Sequence, residues 1–113
     1  MNVHELKELV FGGESERAEF KRSTGQRTKA VKTVCGMLNG MGGFVLFGVT
    51  DTGRITGQQV GVDTLEDIAA ELRRIEPPAF PHIETISLRK GVSVVVLTVS
   101  GGGGPYTFDG PGL

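Results

Sequence analysis

The segment Glu14-Ser15-Glu16-Arg17-Ala18-Glu19-Phe20-Lys21 gathers three carboxylates and two cations within eight residues. Ala18 and Phe20 alternate with Glu19 and Lys21, which predicts a strand over 16–22. Successive strand side chains point to opposite faces, so Glu19 and Lys21 project side by side. Carboxylate oxygens with open sites suit hard divalent ions such as Mg2+ or Mn2+. A lysine two residues on can orient water or offset phosphate charge. An E-x-K of this kind occurs in metal-dependent nucleases and equally on an exposed strand face carrying an ion pair. Asp51 follows the apolar stretch Phe44 to Val49. If that stretch is a strand paired with the first, Asp51 reaches the corner that holds Glu14 and Glu19. The other reading of Asp51 is a plain Asp-x-Gly turn. Glu14 and Glu19 are five apart, an odd number, so a site shared by both requires a bend between Glu14 and Ala18.

The second chemical feature is charge. The whole chain carries a formal net charge of −1, yet Arg17, Lys21, Arg22, Arg27, Lys29 and Lys32 stand against the single acid Glu19 between Arg17 and Lys32. This local excess is enough to orient a phosphate backbone, and Lys21, Arg22, Arg27, Lys29 and Lys32 are the expected phosphate contacts. A solvated helix face with its flanking loop accounts for the same charges. With no tryptophan and one tyrosine, a base-stacking platform has little support. No spacing supports Ser/His or Cys/His catalysis. One cysteine, Cys35, and two distant histidines, His4 and His82, do not make a zinc site. None of the glycine runs fits a phosphate loop or a dinucleotide fingerprint, so no nucleotide cofactor is expected.

At the N-terminal end, Val3, Leu6, Leu9 and Val10 predict a helix over 3–11. Ser23 to Arg27 reads as polar loop. A second helix, capped near Thr28, carries a buried stripe of Val31, Val34, Cys35 and Leu38 and stops at Asn39-Gly40. Phe44 to Val49 is apolar on both faces, as a central strand requires. Arg54 to Val60 is expected to return beside it as a hairpin. Asp63 to Glu66 resembles a capping box, opening a helix to about Ile75 that Pro77, Pro78 and Pro81 prevent from continuing. Strands over His82–Leu88 and Val92–Val99, joined by a turn, complete a second hairpin, and Tyr106 to Phe108 could begin a last strand. The fold class is therefore α+β: one mixed β-sheet with flanking helices, in a single domain over 1–113. The expected core is Phe20, Val31, Val34, Cys35, Leu38, Val45, Phe47, Leu65, Ile68, Leu72, Val94 and Val96. One cysteine, no long apolar run and a charged N-terminus point to a cytoplasmic protein with no membrane contact.

Taken in order, Glu14-Ser-x-x-x-Glu19-Phe-Lys21, then Leu38-Asn39-Gly-x-Gly42-Gly43-Phe-Val-Leu-Phe-Gly48-Val49-x-Asp51 and Gly53-x-Ile55-x-Gly57, resemble the AlbA-like domain of Schlafen proteins. The resemblance covers roughly residues 12 to 100. It implies a mixed sheet with flanking helices and binding of RNA or DNA, in bacterial relatives at the N-terminus of transcriptional regulators. In animal Schlafens, two lobes form a horseshoe that binds structured RNA, and some members are metal-dependent endoribonucleases with a three-carboxylate site. The positions matching that site are Glu14, Glu19 and Asp51, with Lys21 assisting. Three expectations follow: a nucleic-acid-binding domain, a Mg2+- or Mn2+-dependent endoribonuclease acting on structured RNA, or an oligomerisation or regulatory module without nucleic acid. Relatives continue with another strand beyond Tyr106–Leu113, so the C-terminus reads as truncated. The sheet edge left open there is expected to recruit a second copy into a homodimer.

Overall fold

Gly43–Phe47 (β2) organises the sheet: Val45, Leu46 and Phe47 are all fully buried, so both faces of this strand must be covered. In the computed structural model, which describes residues 1–109, β2 pairs in parallel with Ala18–Lys21 (β1) and antiparallel with Val92–Val99 (β6). On its far side β6 pairs antiparallel with His82–Arg89 (β5). The start of β6 also pairs with the two-residue strand Gln58–Gln59 (β3). β5 occupies the other side of Val92 and Ser93, so β3 lies on the β2 side of β6. A separate two-stranded sheet joins Ile75–Glu76 (β4) to Thr107–Phe108 (β7).

Helices cover both faces. Val3–Phe11 (α1) starts with a reciprocal cap in which the Glu5 amide donates to Asn2 Oδ1 at 2.8 Å and the Asn2 amide to Glu5 Oε1 at 3.1 Å. Its Leu6 and Val10 pack with Ala18, Phe20, Leu46, Ile86, Val94 and Val96. On the opposite face, Arg27–Asn39 (α2) and Val62–Leu72 (α3) pack on Val45, Phe47, Val95, Leu97 and Val99. Of the expected core residues, Leu65 alone is only half-buried, and it still packs against the α2–α3 layer. Cys35 belongs to that core, where burial pushes its thiol pKa up.

The structure corrects several local expectations. Arg54–Val60 does not form a hairpin with β2, because β1 and β6 already occupy both edges of that strand. Only one bridge, Val49 to Ile55, survives, and the arm passes on to β6. α2 begins at Arg27 after a 3-10 turn over Thr24–Gln26, so Thr28 lies inside the helix and instead donates to Glu71 Oε2 at 2.5 Å. The expected loop before α2 is thus ordered, with Ser23 Oγ accepting from the Gly25 amide. α3 starts from Gly61, whose amide donates to Thr64 Oγ1 at 3.0 Å, so Glu66 takes no part in the cap. It ends at Leu72, and Ile75 is buried in β4. Expectations touching Gly110 to Leu113 lie outside the described residues.

Candidate nucleic-acid interface

β1 is an edge strand, and its two sides are used differently. Ala18 and Phe20 face α1. Glu19 and Lys21 stand opposite Val45 and Phe47, which places them on the α2 face. There they meet: Lys21 Nζ lies 3.2 Å from Glu19 Oε1, and the two side chains are only 15% and 26% exposed. The side-by-side geometry expected of E-x-K is therefore present as a partly sheltered ion pair. Such a pair is weak evidence of stability, because desolvation offsets most of the Coulombic gain.

The bend before β1 is also present. Ser15 and Ala18 form an antiparallel bridge, with the Ser15 amide donating to Ala18 O at 3.0 Å and the Ala18 amide to Ser15 O at 3.3 Å. The chain thus folds back on the open edge of β1, and Glu14 Oε1 accepts from the Phe20 amide at 3.3 Å. Asp51 sits exposed on a turn closed by Gly53 N to Thr50 O at 2.9 Å. The buried hydroxyl of Thr50 accepts from the Arg54 amide and fixes that turn. Gly53 abuts Val10 at the end of α1, so the Asp51 turn and the segment leading to Glu14 belong to one corner. Sharing a corner does not make them one ligand set. Among the described residues, no three His, Cys, Asp or Glu side chains are placed to hold a metal ion. Their oxygens suit Mg2+ or Mn2+ chemically, but Glu14 serves a backbone amide and Glu19 serves Lys21.

The five expected phosphate contacts separate into engaged and free groups. Lys21 is held by Glu19. Arg27 Nη1 donates to Thr24 O at 3.2 Å. Lys32 Nζ stands 5.6 Å from the centre of the Phe108 ring. Arg22 and Lys29 are exposed and make no side-chain ion pair with any described residue, and the same holds for Arg17 on the bend. Arg17 and Arg22 flank the two ends of β1, and Lys29 lies in the first turn of α2.

Arg74, just past the end of α3, is the hub of a strap that no local sequence pattern discloses. Arg74 Nε and Nη2 donate to the two carboxylate oxygens of Asp109 at 2.6 and 2.5 Å, and Nη1 donates to Glu71 at 2.8 Å. Its guanidinium lies 4.4 Å from the Phe108 ring centre. This fork holds the Asp109 carboxyl below the ordinary carboxylate range. Asn39 pairs with both backbone groups of Tyr106, at 2.7 and 2.9 Å, like a one-residue strand. The partners are 35 and 67 residues apart, beyond the reach of any local pattern.

The mixed sheet with helices on both faces and the edge strand with its sequence series define a class of small α+β domains. The chain matches the family model described as Schlafen, AlbA_2 over residues 14–109 and belongs to that family, which is associated with nucleic-acid-related functions. It is similar in structure to the N-terminal domain of a RecG-related protein from Nitrosomonas europaea, with 21% identity and a TM-score of 0.76, covering 100% of this chain and 84% of that one. It is also similar to the DIP2311 protein from Corynebacterium diphtheriae, with 18% identity and a TM-score of 0.62, covering 95% of this chain but only 27% of that one. At these identities the two likenesses speak to the fold alone. No curated protein matches the sequence. No helix among the described residues is long and apolar enough to cross a membrane.

Proposed function

We propose that this domain binds the phosphate backbone of RNA or DNA along the β1–α2 side. The observation that carries the reading is a set of three exposed cations without an ion-pair partner among the described residues, Arg17 and Arg22 at the two ends of β1 and Lys29 at the start of α2, on a chain whose net charge is −1. Family membership supports the same ligand class. Binding of this kind depends on counterion release, so affinity falls steeply as salt rises. Titration of a labelled RNA hairpin and a duplex DNA across a salt series tests it. The triple variant Arg17→Ala/Arg22→Ala/Lys29→Ala is expected to lose at least about tenfold in affinity at low salt and to flatten the slope by two to three charges, roughly one per phosphate contact. Binding that is indifferent to salt, or unchanged in the triple variant, refutes the reading.

We infer also that the domain self-associates through β5. Among the described residues this eight-residue strand pairs only with β6, and its outer edge has no partner. The last described strand, β7, pairs with β4 outside the main sheet and leaves this edge uncovered. A pair of copies joined there would carry two basic borders.

A further inference from the structure

Lys32 lies one helical turn from Lys29, so the free basic border continues directly into the strap. Four charged groups meet there: Lys32, Arg74, Glu71 and Asp109. Glu71 takes one guanidinium nitrogen of Arg74 and, through Thr28, is itself fixed to α2. The Nε–Nη2 edge of Arg74 is thereby aimed outward in a set orientation, and the Asp109 carboxylate occupies it with both oxygens. A planar fork that accepts a carboxylate in this way matches a phosphate equally well. The arrangement is surface-accessible, with the Arg74 and Asp109 side chains 39% and 46% exposed.

We propose that the Arg74 fork, with Lys32, is a second phosphodiester-binding point that Asp109 fills as an internal competitor. With Asp109 docked, the two cations and two carboxylates sum to zero; with Asp109 away, the cluster is left at +1. The Asp109 carboxylate can leave the fork by side-chain rotation alone, while the strap backbone stays held by the β4–β7 pairs, by the Asp109 amide donating to Arg74 O at 2.7 Å and by the Asn39–Tyr106 pair. Asp109 also sits at a φ of 62°, a left-handed conformation that aspartate and asparagine tolerate better than other side chains. Asp109→Asn therefore removes the charge and keeps the backbone.

The proposal rests on the nucleic-acid reading for its physiological ligand, and two measurements on the full chain separate the two. In the first, the labelled RNA hairpin and duplex DNA are titrated against wild type, Asp109→Asn and Arg74→Lys/Asp109→Asn. Asp109→Asn is expected to bind about threefold tighter at low salt, with a salt slope steeper by about one charge. The double variant keeps the same net charge as Asp109→Asn but lacks the fork, and is expected to lose the gain. In the second, inorganic tripolyphosphate is added while the Arg74 Nε–H resonance is followed by NMR. A saturable shift is expected in Asp109→Asn and a much weaker one in wild type. If neither probe nucleic acid binds any variant, the functional reading falls and the tripolyphosphate titration alone decides the site. No shift in Asp109→Asn, unchanged binding by that variant, or a gain that persists without the fork overturns the proposal.

Discussion

The two edges of the main sheet are finished in opposite ways. At β1 the preceding residues turn back, Ser15 bridges Ala18, and the Glu14 carboxylate takes the Phe20 amide. At β5 no described residue hydrogen-bonds to the outer backbone edge, over twice the length. An unpaired edge is a template for another strand, and a short, covered one is not. The covered edge is the one flanked by the exposed Arg17 and Arg22. One Glu14 carboxylate oxygen thus serves the backbone edge it closes.

Glycine substitutions on the two sides provide the sharpest contrast. A Cβ at Gly43 would stand 2.5 Å from Arg17 O and 2.8 Å from two further Arg17 backbone atoms, at a φ of +153°. Rigid backbone cannot move aside without prising β1 from β2, so Gly43→Ala is expected to cost about 3 kcal/mol or more in denaturant unfolding. Gly91, in the turn between β5 and β6, has a φ of +75° but nothing within 4 Å of an added Cβ. Gly91→Ala therefore meets only the left-handed penalty of about 1 kcal/mol. Equal losses at the two positions would mean that the close approach of β1 to β2 is not a tight constraint.

Glu14→Ala tests the cover itself. It leaves the Phe20 amide without its acceptor at a partly buried position and is expected to cost about 1 kcal/mol. The specific readout is hydrogen exchange. The Phe20 amide should exchange faster in the variant, while amides of β6 keep their wild-type protection. Unaltered exchange at Phe20 would show that the Ser15–Ala18 bridge closes the edge unaided.

What the sequence disclosed follows from how local each interaction is. The apolar periodicities of α2 and of β6 identify both elements and their buried sides, because a 3.6- or 2-residue repeat is printed in the chain itself. The odd spacing of Glu14 and Glu19 made a bend the condition for a shared site, and the chain does turn back between Ser15 and Ala18. Pairing partners are another matter. Arg54–Val60 reads as the return arm of a hairpin, yet β6, more than 30 residues further on, had already claimed that edge of β2. Side-chain engagement is less legible still. Lys21, Arg27 and Lys32 look alike in the sequence to Arg22 and Lys29, and only the fold assigns them Glu19, Thr24 and Phe108.

The smallest effect on stability is expected at the open edge, where the effect on association is the informative one. Thr85 is exposed in the middle of β5, opposite Val95. A lysine there touches no buried group, so Thr85→Lys should change unfolding free energy by no more than about 0.5 kcal/mol. Charge on an edge strand opposes edge-to-edge pairing, since two copies in antiparallel register bring their lysines close together. Sedimentation velocity at micromolar concentration is expected to show wild type as a dimer and Thr85→Lys as a monomer, with the same melting behaviour once concentration effects are removed. The second arm uses the covered edge: Glu14→Ala uncovers β1, and if an open edge is sufficient for pairing it should form species larger than the dimer. A wild-type monomer removes self-association through β5. A dimer that survives Thr85→Lys places the contact elsewhere, and the contrast between the edges would then have no bearing on assembly.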